Sequence, residues 1–145
     1  MPDCVFCRIL RSEAEASIIH RDEACTAFMT IEPITEGHAL VVPNRHHVNI
    51  FDLPADTAAH MFKVAQSIAK AYPRAGIRCE GVNIVMCNGA AASQTVFHAH
   101  LHVSPRYVGD GFSWNMPPGF HAPPGRPELD RVAATLARAF GYNEE

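Results

Sequence analysis

The sequence predicts an α+β fold, a mainly antiparallel sheet of about five strands with a helix packed on it. Three observations predict it. Short β-prone runs recur between Pro, Gly and polar turn residues; one long stretch repeats apolar residues at helical spacing; and no internal repeat, low-complexity tract or charge block divides the chain.

Each element follows from its residues. Residues 4–11 read as a short N-terminal helical turn, with Val5, Phe6, Ile9 and Leu10 on one side. Residues 18–20 and 25–29 are β-prone runs separated by the polar Arg21, Asp22 and Glu23, a hairpin pattern. Pro33 and Gly37 then break the chain, and residues 38–42 form a strand of buried character stopped by Pro43. A loop over residues 44–49 leads to the clearest helix. There Ala58, Met61, Phe62, Ala65, Ile68, Ala69 and Tyr72 recur at spacings of three and four, with Lys63, Gln66 and Lys70 opposite, and Pro73 and Gly76 end it. Residues 82–87 and 96–103 are two more strands, joined by the small-residue turn 88–93, where the backbone can approach a ligand closely. Residues 109–127 are rich in Gly and Pro and read as an ordered tail. Leu129, Val132, Ala133, Leu136 and Phe140 mark a last helix, stopped by Gly141.

Composition bounds the function. The chain has 145 residues, 48% apolar, and a net charge of −3 from 12 basic and 15 acidic side chains. That is one globular domain, long enough to bury a core and too short for two of full size. No apolar run approaches the roughly 20 residues that cross a bilayer, and Met1, Pro2, Asp3 and Cys4 carry no basic-then-apolar signal. The expectation is a cytoplasmic protein with no membrane partner. Without a Lys/Arg stripe the chain is not built to grip a nucleic-acid backbone, although a small nucleotide fits. Five cysteines, an odd number, point away from a disulfide framework and leave metal binding, redox chemistry and burial open.

Histidine is the abnormal component, with nine in all and three at 98, 100 and 102. On a regular strand these three project to one face, about 7 Å apart from one to the next, while Ala99, Leu101 and Val103 face the core. Such a row serves metal ligation or covalent catalysis, in which one imidazole attacks and its neighbours bind and protonate. Gln94, Thr95 and Val96 stand just before it and supply amide and hydroxyl donors suited to a phosphate. His20, His60 and His121 each stand alone and read as surface residues. Cys4 and Cys7, spaced as a pair, suit redox or metal chemistry, but a redox dithiol normally follows a strand and opens a longer helix. Cys25, Cys79 and Cys87 read as packing residues.

The segment 94–103, with His98, His100 and His102 separated by the apolar Ala99 and Leu101 and followed by Pro105 and Arg106, resembles the signature of the histidine-triad (HIT) superfamily. Cys4, Phe6, Cys7 and Ile9, residues 37–43 with His46, residues 81–84 and residues 106–112 add further matches in the same order. Together they cover most of residues 4–119. The resemblance implies the fold described above as a single domain over residues 1–145, with a core at about 4–119 and a tail and helix over 120–145.

It also implies roles. His100 resembles the nucleophile that attacks the α-phosphorus of a purine nucleotide to give a nucleotidyl-histidine, later hydrolysed. His102 resembles the group that binds the phosphate oxygen, and His38 and His98 resemble the supporting residues. Gln94, Thr95 and the Val96 N–H match the phosphate-contact segment, with Asn88 nearby, and Thr30 occupies the ribose position. Phe6, Ile9, Phe28 and Ile31 correspond to the base pocket, although as apolar residues they read equally well as core. Many bacterial members hold a structural zinc, here implied at Cys4, Cys7, His46 and His98, with His47 as the register alternative. The motif demands no catalytic cation, and relatives pair as homodimers through the long helix and the strand at residues 82–87.

Three departures touch the substrate rather than the triad: Thr30 where Asp or Asn is usual, Cys87 where Asn or Gln is usual, and Ser93 in place of a glycine. Trp114 with Pro117, Pro118 and Gly119 resembles the end of Hint-type phosphoramidases, with an insertion. The implied activity is nucleoside phosphoramidate hydrolysis. Dinucleoside polyphosphate hydrolysis is the alternative, and a non-catalytic nucleotide-binding or zinc-stabilised interaction module is the alternative of another class.

Overall fold

The computed structural model describes residues 4–140. The N-terminal residues 1–3, and Gly141 with the predicted end of the last helix, lie outside the described residues. One compact unit runs to Phe112 and a second begins at Ser113.

In the first unit the elements follow the order α1 (Val5–Leu10), β1 (Ile18–Arg21), β2 (Cys25–Met29), β3 (Ala39–Pro43), α2 (Ala55–Ala71), β4 (Gly81–Val85) and β5 (Leu101–Arg106). The five strands form one sheet in the order β1-β2-β3-β5-β4, with every neighbouring pair antiparallel. The α+β architecture predicted from the sequence is therefore the one observed.

β3 lies inside the sheet and is buried along its whole length because both faces are covered. Its pleat sends Ala39 and Val41 to one side, where Met61, Ala65, Ile68 and Tyr72 of the α2 region pack with Ala27 and Val103. Leu40 and Val42 go to the other side and meet Phe6, Ile9 and Phe28. The short helix α1 thus covers the face opposite α2.

Three sequence expectations are corrected. Phe62, expected on the buried face of the long helix, is 53% exposed, since the buried stripe passes through Met61, Ala65 and Ile68 beside it. The strand expected at 96–103 begins only at Leu101 and runs on to Arg106, because the Ala99 N–H bonds the His47 carbonyl instead of a neighbouring strand. Pro105 is tolerated within it because pairing with β3 ends at Val103, so no donor is missed on that side. The strand expected at 82–87 ends at Val85, leaving Cys87 in the following turn.

In the second unit, α3 (Arg126–Phe140) is the predicted last helix, and its apolar positions Leu129, Val132, Leu136 and Phe140 are exposed. Among the described residues no helix is long and apolar enough to cross a membrane.

Candidate active site and metal centre

The site grows from the crossing of β3 with β5. Gly37 precedes β3 with φ +99°, a left-handed conformation that favours glycine. A Cβ there would lie 3.0 Å from the Ile77 side chain, 3.1 Å from Tyr72 and 3.2 Å from Pro105. This tight turn brings His38 beside His102, which pairs with Leu40 across the sheet. Tyr72 braces the same place from beneath, donating its hydroxyl to the carbonyls of Gly37 (2.7 Å) and Val103 (3.0 Å).

The three predicted histidines do not form one regular row. Only His102 is on the strand, so the spacing of a pleat does not apply to the other two, and the His100 and His102 rings approach to 4.9 Å between centroids. His98 turns away toward α1, where Cys4 Sγ and Cys7 Sγ lie 3.4 and 3.6 Å from its Nδ1. Phe6 sets its edge against both, at 5.8 Å from His98 and 5.2 Å from His100.

The backbone assigns the tautomers. His100 Nδ1 lies 2.7 Å from the His98 carbonyl oxygen, which can only accept, so Nδ1 carries the proton and Nε2 keeps its lone pair. His38 Nδ1 accepts the Ile34 N–H at 3.0 Å, which leaves its Nε2–H to donate to His102 Nδ1, also at 3.0 Å. His102 then carries its own proton on Nε2 as a donor. His98 Nε2 donates to the Pro43 carbonyl at 2.9 Å, and its Nδ1 lone pair faces the cysteines. Burial keeps these rings neutral: it pushes His98 and His102 down to about 4 and lowers His38 and His100 as well. A neutral imidazole with a bare Nε2 is a nucleophile; one with a bound Nε2 proton is a hydrogen-bond donor.

The predicted phosphate segment is engaged within the protein itself. Gln94 is 4% exposed and spends its amide on the protein: Nε2 donates to the Val48 and Val96 carbonyls, and Oε1 accepts the Gly89 N–H and, at 3.4 Å, Asn49 Nδ2. These bonds hold the turn. Asn88 is likewise engaged, accepting the Ile50 N–H and donating to the Met86 carbonyl. Thr95 is exposed beside them, and Val96 packs against the α1-side core. Thr30 is half-buried and accepts the Glu32 N–H. Of the four base-pocket candidates, Phe6, Ile9 and Phe28 come together as buried core, whereas Ile31 is 95% exposed and outside that cluster, since it lies in the turn before Pro33 rather than on β2.

Cys4, Cys7, His46 and His98 converge, their ligand atoms all within 4.8 Å of one another. Cys7 Sγ is 3.3 Å from His46 Nδ1. A tetrahedral zinc with bonds of about 2.3 Å to sulfur and about 2.0–2.1 Å to nitrogen has sulfur–nitrogen edges near 3.5 Å. The observed separations of 3.3, 3.4 and 3.6 Å fit that figure, and the Pro43 carbonyl fixes the His98 tautomer with Nδ1 free to ligate. His47 is not in the cluster; its ring faces Asp52 at 3.9 Å.

One grouping escaped the sequence reading. His20 and His60, read there as isolated surface residues, both reach Asp22 Oδ2, at 2.6 and 2.8 Å. The His20-x-Asp22 spacing was a local signal, but nothing in the sequence announces His60, thirty-eight residues away.

The model of the HIT domain matches residues 11–109. A crystal structure of a HIT family protein from Bacillus anthracis is 36% identical, with a TM-score of 0.82, covering 94% of this chain and 96% of that one. A zinc-bound histidine triad family protein from Mycobacterium smegmatis is 41% identical, covers 97% of both chains and has a TM-score of 0.74. A protein of Arabidopsis thaliana named an adenylylsulfatase is 34% identical over 72% of this chain and 52% of its own length.

Proposed function

The chain belongs to the HIT domain family, and on that premise we propose that it hydrolyses a nucleotide derivative at the α-phosphate through a nucleotidyl intermediate on His100. The observation that carries this reading is the His100 tautomer: its proton is held on Nδ1 by the His98 carbonyl, so Nε2 presents a lone pair.

In this reading a bond forms between His100 Nε2 and the α-phosphorus while the bond to the leaving group breaks. The leaving group takes the electron pair and a proton from solvent. His102 Nε2–H donates to a phosphate oxygen, and His38, anchored on the Ile34 N–H, keeps that donor in place. Water then attacks the phosphorus and releases a proton to solvent, the Nε2–phosphorus bond breaks, the nucleoside monophosphate departs, and His100 regains its lone pair. Such transfer asks the protein for positioning and charge stabilisation more than for a strong base.

The substrate class we favour is a purine nucleoside phosphoramidate, whose phosphorus–nitrogen bond is the one broken. The name of the Arabidopsis thaliana relative supports an adenylyl group on a different leaving group, and Phe6 against the His100 ring supports an apolar neighbour for a base. A structural zinc at Cys4, Cys7, His46 and His98 belongs to the same proposal; when bound it cross-links α1 to the segment that carries His100. So does a homodimer in which β4, at the edge of the sheet, meets its copy.

The test is hydrolysis of an adenosine phosphoramidate, with adenylyl sulfate and a diadenosine polyphosphate as competitors. His100→Ala should retain nucleotide binding and lose turnover by at least about a thousandfold. Turnover that survives this substitution would overturn the reading, and preference for the polyphosphate would replace the substrate class.

A further inference from the structure

Away from the triad, the β1–β2 hairpin meets α2 at a second cluster of ligand-bearing side chains. His20 comes from β1, Asp22 from the hairpin turn, Cys25 from β2 and His60 from α2. Asp22 Oδ1 accepts the backbone N–H groups of Ala24 (2.8 Å) and Cys25 (3.0 Å), which closes the turn and aims Oδ2 outward at α2. Three groups then converge on that single oxygen: His20 Nε2 at 2.6 Å, His60 Nε2 at 2.8 Å and Cys25 Sγ at 3.9 Å. A carboxylate oxygen has two lone pairs, which His20 and His60 take, and the Cys25 thiol at 3.9 Å is left with a long, weak contact. Hydrogen bonding alone makes little use of the thiol. Cation coordination would use all three, because a metal accepts lone pairs from the carboxylate, the imidazole and the sulfur at once.

We infer that Asp22, His60 and Cys25 form a second binding site for a divalent transition metal, with His20 hydrogen-bonded to the same carboxylate oxygen. The ligand atoms of the three lie within 4.8 Å of one another. One nitrogen, one oxygen and one sulfur suit zinc or cobalt rather than magnesium or calcium, which prefer oxygen throughout. Burial pushes the Cys25 thiol up to about 12, so coordination by sulfur expels that proton to solvent.

Position distinguishes this site from the Cys4–Cys7 cluster. It opens on a groove of about 530 Å³ between the hairpin and α2, lined near the cluster by Ile19, His20, Asp22, His60 and Val64. Three protein ligands would leave a tetrahedral metal one position short, and His60 and Asp22 both line that groove. An exchangeable water or an incoming ligand would fill that position, whereas four protein ligands would close the first cluster. The two are chemically different classes of metal site within one small domain.

The experiment counts metal. Wild-type protein and His60→Ala are stripped with chelator, equilibrated with the same buffered excess of zinc, freed of unbound ion, and analysed for zinc per chain. The expected result is one equivalent fewer in His60→Ala than in wild type, whatever the occupancy at Cys4 and Cys7. Equal stoichiometry in the two overturns the inference. Should His60→Ala lose its helical circular dichroism, Asp22→Asn, which keeps the oxygen that caps the turn, takes its place with the same two outcomes. The difference between proteins reads this site alone, so loss of the first cluster would lower both counts together and leave the comparison intact.

Discussion

A carbonyl oxygen only accepts and a backbone N–H only donates, and through this rule the main chain sets the chemistry of His38, His98, His100 and His102. The same burial that keeps these rings neutral has a consequence for stability. Burial holds His102 near 4 and lowers His38, whereas an unfolded chain takes up those protons near pH 6.5. Between about pH 6.5 and 4 the unfolded form binds more protons, so stability falls as pH falls across that window. Asp22 differs. Burial opposes its ionisation, but His20, His60 and two backbone N–H groups outweigh burial and hold the carboxyl well below its usual range. Its contribution is complete above about pH 3.9 and is lost only below that, so it does not shape the same window. Melting from about pH 7 to 4.5 should lower the midpoint of wild type more steeply than that of His102→Gln, and equal slopes would count against the assignment. Ser93 offers a second test at this scale. It sits at φ +69° and ψ 24°, a left-handed conformation where glycine costs less. Ser93→Gly should raise stability by up to about 1 kcal/mol in denaturant titration, the gain in the folded turn outweighing the added freedom of the unfolded chain.

At the scale of elements, α1 shows how a fragment too short to be stable alone is held. Its six residues fall far below the roughly 12–15 needed for an isolated helix in water. Phe6 and Ile9 bury into the face opposite α2, and Cys4 and Cys7 stand against His46 and His98. Cys4→Ser, or prolonged chelation of protein prepared with zinc, should therefore cost on the order of 2 kcal/mol, about 6 °C in melting midpoint. Since Phe6 also touches the His100 ring, turnover should fall with the same change. A variant that melts and turns over like wild type would separate α1 from the site. Much at this scale was legible in sequence: the hairpin from Arg21, Asp22 and Glu23, the long helix from its apolar repeat, and β3 from an unbroken apolar run. The start of β5 was not, because residues 96–103 carry a strand-like pattern while the Ala99 N–H is taken by the 44–49 loop. Local pattern cannot register a bond made fifty-two residues away.

For the whole molecule, the sheet order leaves β4 and β1 at the edges. β4 is short and carries Val82, Ile84 and Val85, an edge that unpaired backbone groups make prone to association. Phe62 adds an exposed apolar side chain on α2, the helix expected to join β4 in the pairing. Scattering or gel filtration should accordingly give the mass of two chains, and Val85→Lys should shift it toward one. A monomeric wild type would contradict the pairing.

By itself the sequence determined the fold class, the family and the chemical types at the site, because apolar periodicity, breakers and the histidine and cysteine spacings are local properties of the chain. Tertiary structure alone decided what each group does with its lone pairs and protons. It turned His98 from the row toward Cys4 and Cys7, spent the Gln94 amide on the turn, left Ile31 in solvent, and drew His20 and His60 together on Asp22. Those outcomes depend on partners distant in sequence, and the direction of a hydrogen bond is settled only when both of its ends are in place.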